Sequence, residues 1–169
     1  MDFNKVLQSR YSVRSFASTP VEQQKIDNIL NAFKSAPTAM NMQPVRVYVV
    51  NNPDTVKKMT KATPCVYGAP LIFAICHDDD KCCVQQSGRR LGEMDASIAA
   101  TYIMLAAANE GLGSCWVCRF DADVTKQVLG IEDNKIVQCL MIVGYPEKDS
   151  APSDRHFKRL DLSESVIYK

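Results

Sequence analysis

Asp95-Ala96-Ser97-Ile98-Ala99-Ala100-Thr101-Tyr102-Ile103-Met104-Leu105-Ala106-Ala107-Ala108-Asn109 is the stretch on which the fold turns. Alanine and leucine favour a helix, and after Asp95 the residues are apolar on nearly every side. The stretch therefore predicts a helix over 91–109 buried in a core or between subunits. Its apolar run is shorter than the roughly 20 residues that cross a bilayer, and it carries Ser97 and Thr101, so it is not a membrane span. Gly111-Leu112-Gly113 stops it.

Downstream, residues 114–118 read as a strand and Asp121 caps a short helix through 129. Residues 136–143 read as a further strand, closed by Gly144-Tyr145-Pro146. Upstream, the continuous apolar run 70–76 suits a strand covered on both faces, followed by a polar loop over 77–90. Val45, Val47 and Val49 alternate with Arg46 and Tyr48 as in a strand, and the turn Asn51-Asn52-Pro53-Asp54 leads to a short helix over 55–61. Thr19-Pro20-Val21-Glu22 predicts a helix start with a hydroxyl cap, Pro at the first position and Glu three residues after the cap. Ile26, Ile29, Leu30 and Phe33 form that helix's apolar stripe, and Ala36-Pro37 ends it. A helix over 2–8 delivers the segment 10–16. With no internal repeat and no linker, the chain reads as one α+β domain over residues 1–169.

The 169 residues carry 20 Lys+Arg against 19 Asp+Glu, a net charge of +1, and 46% are hydrophobic. So balanced a charge draws in neither nucleic acid nor an anionic membrane, and any anion site must be built from a few convergent cations. Seven cysteines, an odd number, with no charged leader before an apolar stretch, argue against a secreted disulfide scaffold and for a reducing cytoplasm.

Several groups of residues can carry chemistry. Arg10, Ser12 and Arg14 alternate, so an extended backbone turns two guanidiniums and a hydroxyl to one side; the alternatives are a phosphate site and an ordinary solvated edge. Arg155-His156-Phe157-Lys158-Arg159 is a second cationic group or a surface charge run. Residues 36–44 pack two prolines, Thr38, Asn41 and Gln43 into a rigid polar loop that can hydrogen-bond a heterocycle or serve as a turn. Gly111-Leu112-Gly113-Ser114-Cys115-Trp116 lacks the third glycine and the strand-to-helix order of a dinucleotide site. Cys115 and Cys118 form a C-x-x-C, and His77 to Cys83 hold acids and thiols, but neither spacing fixes a metal geometry, so no metal site is expected.

Four segments occur in one order: residues 10–14, 37–44 and 111–116, and Gly144-Tyr145-Pro146 with the later basic cluster. Taken together, with Asp95-Ala96 opening the apolar helix, they resemble the FMN-dependent nitroreductase family over residues 1–169. The resemblance implies an α/β sandwich whose central, mainly antiparallel sheet is flanked by helices. It also implies a homodimer holding FMN at its interface, which suits a helix that is apolar all round.

By this resemblance Arg10, Tyr11, Ser12 and Arg14 contact the phosphate, ribityl chain and pyrimidine edge. Arg159, helped by Lys158, completes the phosphate site. Pro37, Thr38, Ala39, Asn41 and Gln43 come from the neighbouring subunit, and Trp116, Val117 and Cys118 pass near the ring's N5. The implied activity is NAD(P)H-dependent reduction of nitroaromatics, quinones or similar electron-poor acceptors by a ping-pong mechanism. The flavin carries the chemistry with Arg14 polarising the ring, and no side chain is a dedicated acid or base. The alternatives are a flavin-binding module without turnover, and a thiol-redox or metal-binding protein using Cys115, Cys118 and the 77–83 loop.

Overall fold

The computed structural model describes residues 2–169. Four strands, β1 (Val45–Val50), β2 (Leu71–Asp78), β3 (Gly113–Val117) and β4 (Lys135–Gly144), form one sheet in the order β1-β2-β4-β3. All three pairings are antiparallel, with Ile72 opposite Ile142 and Cys115 opposite Ile142 on its other side. The two central strands, β2 and β4, are the apolar runs read from the sequence, and every residue of β2 is buried.

Helices cover both faces, giving the α+β sandwich. On one face α3 (Pro53–Met59) and α5 (Ala122–Leu129) close a core around Ile72, Ala74, Leu140 and Ile142. On the other, α2 (Gln23–Lys34) and α4 (Gly92–Asn109) bury Ile26, Ile29, Ala96, Ala99, Ala100 and Ile103 against Phe73, Ile75 and Met141. Small alanines on α4 let the helix lie close to the sheet. Its opposite side keeps Met94 and Tyr102 exposed and Ile98 and Leu105 only half-buried, so the helix is apolar beyond what one chain covers.

Several boundaries differ from the sequence reading. Helix α2 begins at Gln23 with no side-chain cap, so Thr19 and Pro20 lie outside it and the capping box does not form. Glu22 is engaged elsewhere: the Tyr145 hydroxyl donates to its Oε2 at 2.6 Å, and that bond holds the Glu22 carboxyl below its ordinary pKa. Helix α3 starts at Pro53 because the Asn52 side chain accepts from Asp54 and Thr55 N–H groups. Helix α1 (Phe3–Ser9) is capped by Asp2.

The polar loop begins two residues later than expected, because His77 and Asp78 are buried at the end of β2. Asp78 is tolerated there by Lys135 and Lys81, each 3.4 Å away. Burial works to raise its pKa, but the two ammonium groups outweigh that and hold it low. Residues 147–169, for which the sequence reading gives no element, contain two helical turns, α6 (Asp154–Phe157) and α7 (Leu162–Ser165).

Candidate active site

Helix α1 ends at Arg10, which is already extended, and the chain runs on along the outer edge of β3. Ser12 bridges Ser114 in parallel and the Val13 N–H donates to the Ser114 carbonyl at 2.9 Å. Val13 is buried, so Ser12 and Arg14, its neighbours in the alternation, face the other way. Further along, the Phe16 N–H donates to the Tyr67 carbonyl and the Ala17 N–H to the Tyr145 carbonyl. The strip is thereby fixed to the sheet through its backbone, and Arg14 Nη1 donates back to the Ser12 carbonyl at 3.3 Å.

The C-terminal segment returns to this strip. The Tyr11 hydroxyl donates to the Ser150 carbonyl at 3.0 Å, and the His156 ring meets the edge of Tyr11 with centroids 6.4 Å apart. Together the two ends of the chain line a hollow of about 230 Å³ with Arg10, Tyr11, Ser12, Arg14, Ser153, Arg155, His156 and Arg159. Among the described residues none of these four guanidiniums has a carboxylate partner. Four unneutralised cations around one hollow fit a polyanion such as a phosphate monoester.

The resemblance places Arg159, helped by Lys158, at the phosphate; Arg159 lines the hollow together with Arg155 and His156, and Lys158 is not among its lining residues. The helical turn α6 carries Arg155 and His156 just ahead of Arg159.

The polar loop does not join this hollow. Thr38 and Gln43 line a separate depression of about 400 Å³ beside Ala99 of α4, with Phe33, Lys34, Ala36, Met42, Val45 and Arg46. The loop forms a single 3-10 turn over Ala39–Asn41, and Met40, Asn41 and Gln43 all have left-handed φ of 50–54°. Its own hydrogen bonds keep that shape: the Gln43 N–H donates to Thr38 Oγ1 at 3.0 Å and Gln43 Nε2 to Asn41 Oδ1 at 3.1 Å. Asn41 and Gln43 are exposed, presenting amides to whatever approaches the α4 face.

Trp116 and Val117 end β3, Trp116 packed on the core and Val117 buried, while Cys118 is exposed just beyond. They do not line the basic hollow. Cys115 is buried within β3, Cys118 is exposed beyond its end, and all seven thiols are free, so the C-x-x-C is not a bonded pair. Burial pushes the Cys76 and Cys139 thiols up to about 12. Among the described residues no group of three or more His, Cys, Asp or Glu is placed to hold a metal, and no helix is long and apolar enough to cross a membrane.

A larger hollow of about 530 Å³ lies between the start of α2, α3 and residues 63–71. Its lining includes Val21, Ile26, Val56, Val66 and Leu71, with Lys57 as its one charge, and it lacks the convergent donors of the basic hollow.

A model of the Nitroreductase family matches residues 7–67 and 58–145. A protein from Archaeoglobus fulgidus named a putative NADH dehydrogenase/NAD(P)H nitroreductase is 29% identical over 162 residues, covering 90% of this chain and 91% of that protein. The crystal structure of a nitroreductase family protein from Clostridium difficile 630 superposes with a TM-score of 0.92 at 34% identity, covering 100% of this chain and 99% of the other. An FMN-dependent nitroreductase from Clostridium difficile R20291 superposes with a TM-score of 0.79 at 27% identity, covering 98% of both chains.

Proposed function

This chain belongs to the nitroreductase family, and we propose that it works as a single domain over residues 1–169, a homodimeric, cytoplasmic oxidoreductase that uses NAD(P)H to reduce small electron-poor acceptors. Its cofactor is FMN. The observation that carries this reading is the basic hollow, where both ends of the chain gather unneutralised guanidiniums around space for one terminal phosphate.

The residues present fit that group. Arg10, Arg155 and Arg159 supply charge-assisted donors for the phosphate, and the hydroxyls of Ser12 and Ser153 suit a polyol chain. Gln43 lines a separate depression beside α4, and its exposed amide donates to that of Asn41. A second copy packed on the uncovered apolar face of α4 would bring its loop to the first copy's basic hollow, and the pair would make two equivalent sites.

When bound, FMN supplies hydride transfer through its ring, accepting from a reduced nicotinamide and giving to the acceptor. Arg14, which lines the hollow, would supply a fixed positive charge beside the bound ring, and that charge would help more in the transition state of reduction than in the resting complex. Trp116 and Val117 at the end of β3, with Cys118 just beyond, would bound the ring side through their backbone. No side chain of the hollow is asked to move a proton. Donor and acceptor would use one open face in turn, which is a ping-pong order.

The test is the visible spectrum of the purified protein, followed by anaerobic addition of NADH or NADPH. A yellow protein that bleaches and regains colour with a nitroaromatic or quinone supports the proposal. A yellow protein that does not bleach is a flavin-binding module, and a colourless one that gains no thermal stability from added FMN overturns the reading.

A further inference from the structure

Asp95 lies in the first turn of α4, yet it does not cap its own helix. It is 1% exposed, and its Oδ1 accepts a 2.9 Å hydrogen bond from the backbone N–H of Ala39, 56 residues away. Its other oxygen, Oδ2, has no hydrogen-bond partner among the described residues. A buried carboxylate spent on one backbone amide of a distant exposed loop is a costly arrangement unless the loop's shape is what it secures.

The shape needs securing. Met40, Asn41 and Gln43 are all left-handed although none is glycine, a conformation side chains resist. The loop's other bonds are mostly internal or to near neighbours: Asn41 N–H to the Thr38 carbonyl, Met42 N–H to the Ala39 carbonyl, Gln43 N–H to Thr38 Oγ1, and Arg46 Nη1 to the Gln43 carbonyl. Those bonds fix its curvature but not its position over α4. At its far end the Asp78 N–H donates to the Pro44 carbonyl at 2.9 Å, anchoring the exit to β2. Asp95 anchors the entrance.

We propose that Asp95 is a positioning residue for the cofactor site: through the Ala39 N–H it locks the strained 39–43 loop onto α4, so that the Asn41 and Gln43 amides stand preorganised toward the flavin of the neighbouring subunit. The inference rests on the reading given under the proposed function. It assigns Asp95 no contact with the flavin or with any reacting atom.

Three variants test it. Asp95→Asn retains an acceptor oxygen; Asp95→Leu keeps similar bulk and removes it. Ala39→Pro deletes the donor instead and leaves Asp95 in place. Thr38, at φ −132° and ψ 154°, already has the conformation a residue before proline prefers, and proline suits the first position of a helical turn.

Amide hydrogen exchange of residues 40–43 in the FMN-free protein and FMN affinity by fluorescence titration are measured below the melting temperature of each variant. Asp95→Leu and Ala39→Pro should speed exchange in the loop and weaken FMN binding about tenfold or more, while Asp95→Asn restores both to near wild type. Because Ala39→Pro leaves the core intact, it remains informative if Asp95→Leu fails to fold. Wild-type exchange and affinity in Ala39→Pro, or an Asp95→Asn variant as impaired as Asp95→Leu, would overturn the proposal. A wild-type protein that binds no FMN would instead sink the proposed function, and the exchange measurement distinguishes the two failures.

Discussion

The imidazole of His77 fills the space that a side chain at Gly92 would need: a β-carbon built on Gly92 would stand 2.9 Å from its Cγ and its Nε2. The end of β2 and the first residue of α4 are in contact there, so helix and sheet meet at a point with no slack. Gly92→Ala should destabilise the protein by about 1–3 kcal/mol, a cost typical of overpacking. His77→Ala in the same chain should recover part of that loss. Urea denaturation of the two single variants and the double variant measures the coupling, and additive losses would show that the contact is not the cause.

His77 also sets an acid limit. Burial holds its pKa below the ordinary 6.5, against the opposing pull of Asp79, Glu93, Asp95 and Asp78. The folded protein keeps the ring neutral while the unfolded chain accepts a proton below 6.5, so this contribution is fully present above that pH and is lost as pH falls beneath it. Unfolding midpoints should therefore decline on acidification below 6.5, before the carboxylates titrate. His77→Gln should flatten that part of the profile; a profile identical to wild type would remove His77 as its source.

At the basic hollow, Arg10→Ala should weaken FMN binding by about 1.5–3 kcal/mol, the worth of a hydrogen bond to a charged group. Lys148→Ala, an exposed lysine outside the hollow, should have almost no effect. Fluorescence titration of both FMN-free variants gives the comparison, and equal affinities would take Arg10 out of the phosphate site.

Tyr102 points off the uncovered side of α4 and is 37% exposed in the single chain. With a second copy packed there, Tyr102→Asp would bury an unpaired charge and should convert dimer to monomer at low micromolar concentration without changing far-UV circular dichroism. Sedimentation velocity reads the change. A wild-type protein that sediments as a monomer while still holding FMN would refute the two-subunit site.

Much of this arrangement is legible in the residues themselves. The apolar run 70–76, the alternation of Val45, Val47 and Val49, and the alanine-rich stretch after Asp95 each state a burial pattern, and each forms the element that its pattern requires. Boundaries are less legible because they depend on partners far away in sequence: Glu22 gives up its capping role to Tyr145, and His77 and Asp78 are drawn into the sheet by Gly92 and Lys135. In the candidate site, the alternation of Arg10, Ser12 and Arg14 is visible locally. That Arg155 and His156 join them, with Lys158 left aside, depends on the return of the chain at Tyr11 and Ser150. Asp95 carries no sequence signal of its task, since its hydrogen bond is to a backbone N–H that any residue but proline would offer.

The bridge between Ser12 and Ser114 makes the arginine strip a seal as well as a ligand platform. Strand β3 is an outer strand, and the short segment at Ser12 and Val13 occupies hydrogen-bonding positions along its free side. An unsealed outer strand is a template for pairing with another molecule, and a cut or a bulky fusion at this end of the chain would lift the seal. Loss of flavin and self-association into aggregates should then appear together, so that a preparation poor in cofactor is also one prone to precipitate, both from the displacement of the same few residues.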